Sequence, residues 1–227
     1  YTSLTNGEYI MKLSEFTLSI MKNFSSINSG VVLNSGTLQR TWSIDKSILV
    51  EVDLEETFPC SFGIYDLNQF LGNVTTLKNP DLTFTPENVM MNDGETVIKY
   101  RACDSSLITS PPNKSLILND PDVTFDLSQA ALSKILKLAT MNSLCNISVI
   151  GENGKLRIQA HDKNNDKSNE IFTELTDWSG KDFVCTFRAE SIKVIPDDYT
   201  VSIKLGAFSH FKSKTRNLGY FITLLTK

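Results

Sequence analysis

Apolar residues recur at helical spacing in two stretches, one in each half of the chain. In the first, Phe16, Ile20, Phe24 and Ile27 are three or four residues apart and share one face of a helix, with polar residues opposite. Residues 127–139 show a similar apolar stripe. We therefore predict one amphipathic helix in each half.

Short runs of β-branched and aromatic residues follow each helix and are separated by turn sequences such as Asn92-Asp93-Gly94. These runs predict antiparallel strands over residues 31–33, 37–44, 47–54, 57–64, 82–85, 89–91 and 95–101, and over residues 145–150, 155–160, 170–175, 182–186, 199–205, 209–213 and 219–225. Strands and helices in these proportions indicate the α+β class.

Two sequence signals predict further helix starts. Asp66 and Asp126 each stand between an aromatic residue and a leucine, and a glutamine, Gln69 or Gln129, follows three residues later. In a capping box the first side chain accepts a hydrogen bond from the helix start and the glutamine reaches back. We therefore predict that Asp66 begins a short helix and Asp126 the long helix of the second half. A last short helix is predicted over residues 189–194.

The order of helix, strands, short helix and strands occurs twice, which predicts two domains of one topology. Residues 105–125 contain three prolines and several small polar residues, as is typical of an extended connector. We expect an N-terminal domain over residues 11–104 and a C-terminal domain over residues 126–227. Residues 1–10 are polar and unpatterned, and we expect a cloning remnant or a loose extension ahead of a natural start at Met11.

Composition narrows the function classes. With 227 residues, 41% hydrophobic and 21% charged, the chain has an ordinary globular composition. A net charge of −4 argues against a protein that coats nucleic acid with its whole surface, but it allows one basic face.

The sequence contains no pattern typical of catalysis or metal binding. The four cysteines are widely spaced, and the two histidines, His161 and His210, lie in polar stretches where we expect them to be exposed. This predicts free thiols and no metal. Without a glycine-rich phosphate loop or a nucleophile motif, we expect no cofactor and no enzyme. No apolar run approaches the ~18 residues of a membrane span, so we expect a soluble protein without membrane contact.

Several short sequences carry a specific resemblance. They are Lys12-Leu13-Ser14, Lys22-Asn23-Phe24, residues 27–30, Leu33 with Ser35-Gly36, residues 64–68 and 70–72, Pro112-Asn113-Lys114, and Asp126-Leu127 with Gln129 and Leu132. The chain resembles the sliding clamps of T-even-like bacteriophages, the processivity factors of their DNA polymerases, which are related in fold to proliferating cell nuclear antigen. The likeness is dense in the first half and sparse after about residue 143.

This resemblance implies a closed ring of three identical subunits that encircles duplex DNA and tethers the replicative polymerase. Each subunit would contain two similar domains, with antiparallel sheets outside and two α-helices inside. The implied partners are double-stranded DNA without sequence preference, the DNA polymerase, a clamp loader, two further copies of the chain and, in addition, late-transcription proteins. The implied location is the cytoplasm of an infected bacterial cell.

A ring that slides needs an inner wall that attracts phosphates without reading bases, which favours lysines on exposed helix faces. The lysines that we place on such faces, on the first helix, its repeat and the fourth helix, are Lys12, Lys22, Lys134, Lys137 and Lys193. A lysine on an exposed helix face is often merely solvated, but equivalent placement in two repeats favours DNA contact.

A partner surface is expected in the connector. Leu116, Ile117, Leu118 and Val123 are apolar residues within an otherwise polar segment, as a groove for a partner's peptide would require. The alternative is that they only hold the connector against a sheet. Strands 95–101 and 219–225 are our candidates for the edges that pair between subunits.

Other functions remain open on the sequence. A non-enzymatic phage structural or assembly protein with duplicated β-rich domains would need no paired lysine faces. An enzyme on a duplicated scaffold would need clustered titratable residues, and a single-strand binder would need exposed aromatic residues among basic ones.

Overall fold

A computed structural model describes residues 2–5, 8–112, 114–165 and 167–225, with side chains from Tyr9 onward. The chain divides into two compact units, Tyr1–Ser115 and Leu116–Lys227. Antiparallel strands dominate both units, so the α+β prediction is confirmed. No helix in the described part of the chain is long and apolar enough to cross a membrane.

The described part of the first unit contains two α-helices and nine strands, besides the short 3-10 helix Ser105–Leu107. They are β1 (Thr2–Thr5), β2 (Glu8–Met11), α1 (Glu15–Ile27), β3 (Val31–Leu33), β4 (Gly36–Trp42), β5 (Ile48–Phe58), β6 (Phe62–Ile64), α2 (Leu67–Thr76), β7 (Asp81–Phe84), β8 (Asn88–Asn92) and β9 (Val97–Arg101). One sheet has the strand order β1-β2-β7-β8-β9, while β4 pairs with β5 and β3 with β6.

The described part of the second unit contains one α-helix and eight strands, which pair in two sets of four. Its elements are β10 (Val123–Leu127), α3 (Gln129–Met141), β11 (Asn146–Glu152), β12 (Lys155–His161), β13 (Ile171–Asp177), β14 (Phe183–Arg188), β15 (Tyr199–Ile203), β16 (Phe208–Ser213) and β17 (Leu218–Thr223). The strand orders are β13-β12-β11-β14 and β10-β15-β16-β17.

Helix α1 forms where the apolar spacing predicts it. Ser14 caps its start and accepts a hydrogen bond from the Thr17 amide, while Ile20, Phe24 and Ile27 are buried. Glu56 on β5 adds a second cap, because its carboxylate accepts hydrogen bonds from the Ser14 amide and the Thr17 hydroxyl. The helix is thus tied to the strand on which it packs.

Each predicted strand overlaps an observed one, but β1, β2 and β10 lie outside the predictions, and the boundary near Glu56 is wrong. The sequence predicts a break between residues 54 and 57, but β5 runs unbroken from Ile48 to Phe58. Its inward positions include Leu54, Glu56 and Phe58, so a carboxylate occupies a core position. The break is wrong because Glu56 meets its partners on α1, which lie far away in sequence.

Two helix predictions in the second unit are wrong. Asp126 does not cap a helix: it lies in β10, exposed, with its carboxylate 2.6 Å from the Lys214 ammonium, and Ser128 caps α3 instead. Residues 189–194 form only a three-residue 3-10 turn, Ala189–Ser191. By contrast, the Asp66 cap is confirmed, since its side chain accepts from the Gln69 amide.

The expectation of a loose segment at the start of the chain is wrong for the residues that are described there. Glu8–Met11 forms β2, which pairs with β1 and with β7. Ile10 lies opposite Thr83 and Met11 opposite Leu82. Met11 is fully buried, because the alternation of this strand directs it into the core.

Candidate functional site

The exposed face of α1 presents one lysine among serine residues whose hydroxyls bond to the helix backbone. The Ser19, Ser25 and Ser26 hydroxyls each donate to the carbonyl three residues earlier. Lys22 lies between them and is exposed. The geometry leaves the Lys22 ammonium available to a ligand that approaches this face.

Lys12 does not lie on α1, so its predicted placement on the first helix is wrong. It precedes the Ser14 cap, and its ammonium donates to the Asn79 carbonyl at 3.1 Å and pairs with Asp81 at 3.5 Å. Its charge is therefore partly compensated within the unit.

Helix α3 presents Lys134 and Lys137 on its exposed side. The helix packs through Leu132, Ile135 and Ala139, and it contains no acidic residue. The two lysines are one turn apart and therefore share a face. This face is basic, in agreement with the sequence pattern.

Lys193 follows the 3-10 turn rather than lying on a helix, so its predicted placement on a fourth helix is wrong. It lines a cleft of about 870 Å³ in the second unit, together with two cations that sequence reasoning missed, Lys163 and Arg188. Arg188 ends β14 on the exposed side of its alternation. Position at a strand end is the only sequence signal for it, and that signal is weak.

The predicted partner residues divide into two groups. Leu116 and Ile117 are 40% and 67% exposed, and Leu118 is partly exposed. Val123 is 3% exposed because it lies on the inward side of β10, where it also borders a 340 Å³ cavity with Trp178. The structure therefore brings three of the four residues to the surface as one segment and buries the fourth.

The part of the predicted connector that precedes this segment is anchored within the first unit. The Asn28 side-chain amide donates to the Thr109 carbonyl at 3.0 Å, and Arg40 donates to the Pro112 carbonyl at the same distance. Ile108, which directly precedes Thr109, is buried. Asn113 lies outside the described residues.

Two strands end their sheets with open edges. β9 is the last strand of its sheet and carries Lys99 and Arg101 at exposed positions. β13 is the last strand of its own sheet and carries Glu174 and Asp177 at exposed positions. Apolar side chains are exposed on both, notably Val97 at 57% and Phe172 at 58%.

The other candidate edge does not have this character. β17 is buried at five of its six positions, so the expectation of an open edge at 219–225 lacks support. β14 ends the sheet β13-β12-β11-β14 on the side opposite β13, and its Thr186 carbonyl already accepts a hydrogen bond from the Leu225 amide. β9 and β13 thus end their sheets with exposed apolar side chains and with exposed charges of opposite sign.

The expected exposure of both histidines is wrong for His210. Its ring stacks on Phe221 at 4.2 Å, and burial, with Lys212 nearby, lowers its pKa to about 4. His161 shares a 2.8 Å hydrogen bond with the Ser148 hydroxyl. The four cysteines are free as predicted, and burial raises the pKa of Cys185 to about 12.

The arrangement of possible metal ligands is a further feature of the described chain. Among the residues that the structure describes, no group of three His, Cys, Asp or Glu side chains lies close enough together to hold a metal ion. The surfaces that the two units offer are basic faces, open strand edges and a concave cleft. They are suited to binding other macromolecules.

Comparisons with known proteins agree with this description. Residues 12–109 match the family model described as DNA polymerase processivity factor. The sliding clamp of Vibrio phage KVP40 is 29% identical over 218 residues, covering 93% of this chain and 98% of that protein, and the sliding clamp of Escherichia phage RB69 is 27% identical over 200 residues, covering 85% and 87%.

The fold has relatives outside bacteriophages. The structure of A. fulgidus proliferating cell nuclear antigen, solved with the C-terminal region of FEN-1, superposes with a TM-score of 0.72 at 15% identity, over 97% of this chain and 98% of that one. Similarity at this identity shows a shared fold. Over most of its length the chain is similar to the sliding clamps of T4-like bacteriophages, its residues 12–109 match the DNA polymerase processivity factor family, and it shares its fold with proliferating cell nuclear antigen.

Proposed function

We propose that three copies of this chain close head to tail into a ring around duplex DNA and hold the replicative polymerase there. The ring acts by topology and binding, without catalysis, in the cytoplasm of an infected bacterium. The observation that supports ring closure best is the pair of open edges with opposite charge, β9 and β13. Because the two edges differ, their pairing is heterologous, and a heterologous contact generates a ring when its rotation closes.

The edge strands carry complementary features. Each offers an open backbone edge, an exposed apolar side chain and two charged residues, Lys99 and Arg101 on β9 and Glu174 and Asp177 on β13. Glu174 is the main negative charge, because Asp177 already pairs with Lys155 at 2.8 Å. Pairing would satisfy the backbone groups, bury Val97 and Phe172, and bring opposite charges together.

A charge-reversal series tests this contact. The variant Lys99→Glu/Arg101→Glu should run as a 25.4 kDa monomer in light scattering under conditions where the unaltered chain has three times that mass. Adding Glu174→Lys should partly restore assembly, because the charges are again opposite. Lys212→Glu, at an exposed position of β16, is the matched control. A Lys99→Glu/Arg101→Glu protein that still assembles fully would exclude this interface.

The inner wall of the proposed ring is formed by the exposed faces of α1 and α3. Lys22, Lys134 and Lys137 contact phosphates in this proposal, because they are exposed and lie on faces with few or no acidic residues. Lys193 adds to them from the cleft rim. Lys12 contributes less, because Asp81 already compensates its charge.

Primer extension separates DNA contact from assembly. With clamp loader and polymerase, Lys22→Glu/Lys137→Glu should shorten the products while light scattering still reports the assembled ring. The reason is that each reversal replaces an attraction to phosphate by a repulsion, and the effect should weaken as salt increases. Lys212→Glu again serves as the control. Product length equal to that of the unaltered clamp would contradict the assignment.

Partner tails are proposed to bind along Leu116, Ile117 and Leu118. These apolar side chains are presented in one segment, and Val123 lies in the sheet that follows it. The A. fulgidus protein, whose structure contains the C-terminal region of FEN-1, supports peptide binding by this fold. We extend the proposal to the tails of the polymerase, the clamp loader and late-transcription proteins.

Calorimetry with the polymerase's C-terminal peptide tests the segment. Ile117→Asp should weaken binding roughly tenfold or more, because a buried apolar anchor contributes strongly to an interface. Leu107→Asp changes an equally exposed residue outside the segment and should have no effect. Equal affinity for both variants would exclude Leu116–Leu118 as the binding surface.

A further inference from the structure

A cleft of about 870 Å³ opens in the second unit between the C-terminal half of α3, the start of β11 and the residues that follow β14. We propose that this cleft binds a short acidic peptide segment of a partner protein, with an aliphatic side chain of that peptide on the cleft floor. The proposed site is separate from the connector segment Leu116–Leu118, and it shares Lys193 with the proposed DNA-facing residues.

The cleft exists because the second unit has no counterpart of α2. In the first unit, the ten-residue helix α2 fills the space beside α1 with Leu67, Phe70 and Val74, all buried. In the second unit the corresponding segment is the three-residue turn Ala189–Ser191. The missing turns leave a concave space beside α3 that no element of the unit fills.

The floor of the cleft is apolar. Ala139, Leu144 and Ile192 are buried, and Leu136 and Leu225 are partly exposed beside them. The volume falls within the range of roughly 300–1,000 Å³ in which proteins enclose small ligands or anchor side chains. An aliphatic side chain of a peptide would displace water from this floor.

The walls of the cleft are basic. Arg188 and Lys163 are exposed, and neither has an ion-pair partner among the described residues. Lys193 adds a third positive charge, and Glu190 is the one carboxylate that lines the described walls. Nearby, Asp162 is engaged by the Asn164 amide. The positive excess favours an anionic ligand.

The combination of charge and floor favours a peptide over nucleic acid. A phosphate backbone would satisfy the cations but would leave the apolar floor in contact with water, whereas an acidic peptide with a leucine-like side chain satisfies both. Lys134 is two residues from Leu136 and projects from a different side of the helix, whereas Lys137 is one turn from Thr140 at the cleft rim. The exposed Asn164 side chain offers hydrogen bonds to a peptide backbone.

Fluorescence anisotropy with a labelled model peptide, Asp-Glu-Leu-Leu-Asp-Glu, tests the proposal on the full chain. We expect saturable binding that weakens with salt and that is at least roughly tenfold weaker for Arg188→Glu/Lys163→Glu, since two attractions become repulsions. Lys212→Glu should bind like the unaltered chain. The peptide with both leucines changed to alanine should bind weakly to every protein, because it lacks the anchor.

The position of the peptide needs a second readout, because charge reversal alone does not locate it. A photo-reactive leucine analogue in the peptide should cross-link to Leu136, Ile192 or their neighbours, as identified by mass spectrometry. Circular dichroism and urea midpoints establish that the variants fold. No saturable binding by the unaltered chain, or equal binding by Arg188→Glu/Lys163→Glu, would overturn the proposal.

Primer extension tests whether the cations of the cleft contact DNA instead of a peptide. If Arg188→Glu/Lys163→Glu shortens primer-extension products while peptide binding is unchanged, these cations belong to the DNA-facing wall and the peptide site is wrong. The primer-extension result for Lys22→Glu/Lys137→Glu is independent of this one, so failure of the peptide site and failure of the clamp assignment remain distinguishable.

Discussion

Glu56 offers the sharpest test of how this fold holds helix α1. The residue is 8% exposed on β5, and its carboxylate accepts hydrogen bonds from the Ser14 amide and, at 2.6 Å, from the Thr17 hydroxyl. These two groups form the N-terminus of α1. Changing Glu56 to glutamine removes the charge but preserves the shape, so it isolates the charge-assisted part of this contact.

The magnitude follows from the two hydrogen bonds. Glutamine can accept from the Ser14 amide with its oxygen and donate to the Thr17 hydroxyl oxygen with its nitrogen, so both contacts persist as neutral ones. A bond to a charged group contributes about 1.5–3 kcal/mol and a neutral one about 0.5–1.5 kcal/mol. Two exchanges of this kind predict a loss of about 2 kcal/mol in the free energy of unfolding. Glu56→Ala should lose about 3–4 kcal/mol, because it leaves buried donors unpaired.

The pH dependence has a defined sign. Burial by itself raises the pKa of Glu56, but the hydrogen bonds from Thr17 and Ser14 outweigh it and hold the pKa below its ordinary value of 4.5. A depressed pKa stabilises the folded state fully above the unfolded value, and this stabilisation is lost as the pH falls through the folded value. The difference between the unaltered protein and Glu56→Gln should therefore shrink below pH 4.5.

Urea unfolding at a fixed protein concentration measures these differences, with amide exchange of α1 as a local readout. Glu55→Gln is the matched control, because Glu55 is the exposed neighbour on the same strand. A Glu56→Gln protein that unfolds within about 0.5 kcal/mol of the Glu55→Gln control at neutral pH would refute the reasoning.

Three further outcomes are expected. Ser128→Ala should lower the free energy of unfolding by about 1 kcal/mol in urea, because it removes the cap of α3. Asp126→Ala should have little effect, because the ion pair of Asp126 is exposed. A larger loss for Asp126→Ala than for Ser128→Ala would show instead that Asp126 caps the helix. Gly151→Ala should destabilise by about 1–3 kcal/mol and alter tryptophan fluorescence, since the added Cβ would lie 2.5 Å from the Phe183 ring. A thermal midpoint equal to the unaltered protein's would contradict this. His210 has its pKa lowered from 6.5 to about 4, so stability should fall as the pH drops between these values, and His210→Phe should flatten that slope in pH-dependent denaturation.

The helix and strand pattern was recoverable from local periodicity wherever the contacts that shape an element are near in sequence. Helix α1 and its exposed Lys22 follow from the apolar spacing, and the Asp66 cap follows from its own neighbours. The wrong assignments of Glu56 and Asp126 have one cause. Glu56 and Asp126 were assigned from adjacent residues, but their partners are Ser14 with Thr17 and, for Asp126, Lys214.

The candidate surfaces divide in the same way. Exposure of Lys134 and Lys137 is a property of a helix face, so the sequence pattern was sufficient. Edge position is a property of a whole sheet, so the sequence did not distinguish β9, which is an edge, from β17, which is buried. The burial of Val123 likewise depends on β15, its pairing partner from the far end of the chain.

By itself, the sequence determined the α+β class, the twofold order of elements, the resemblance to phage sliding clamps and the lysines on exposed helix faces. Each of these depends on the spacing of residues or on short contiguous segments of the chain. The tertiary structure decided which carboxylates cap which helices, which strands have free edges, and that the second unit opens a basic cleft where the first unit has α2. The physical reason is that these properties depend on pairs of residues that are distant in the chain and meet only when the sheets form.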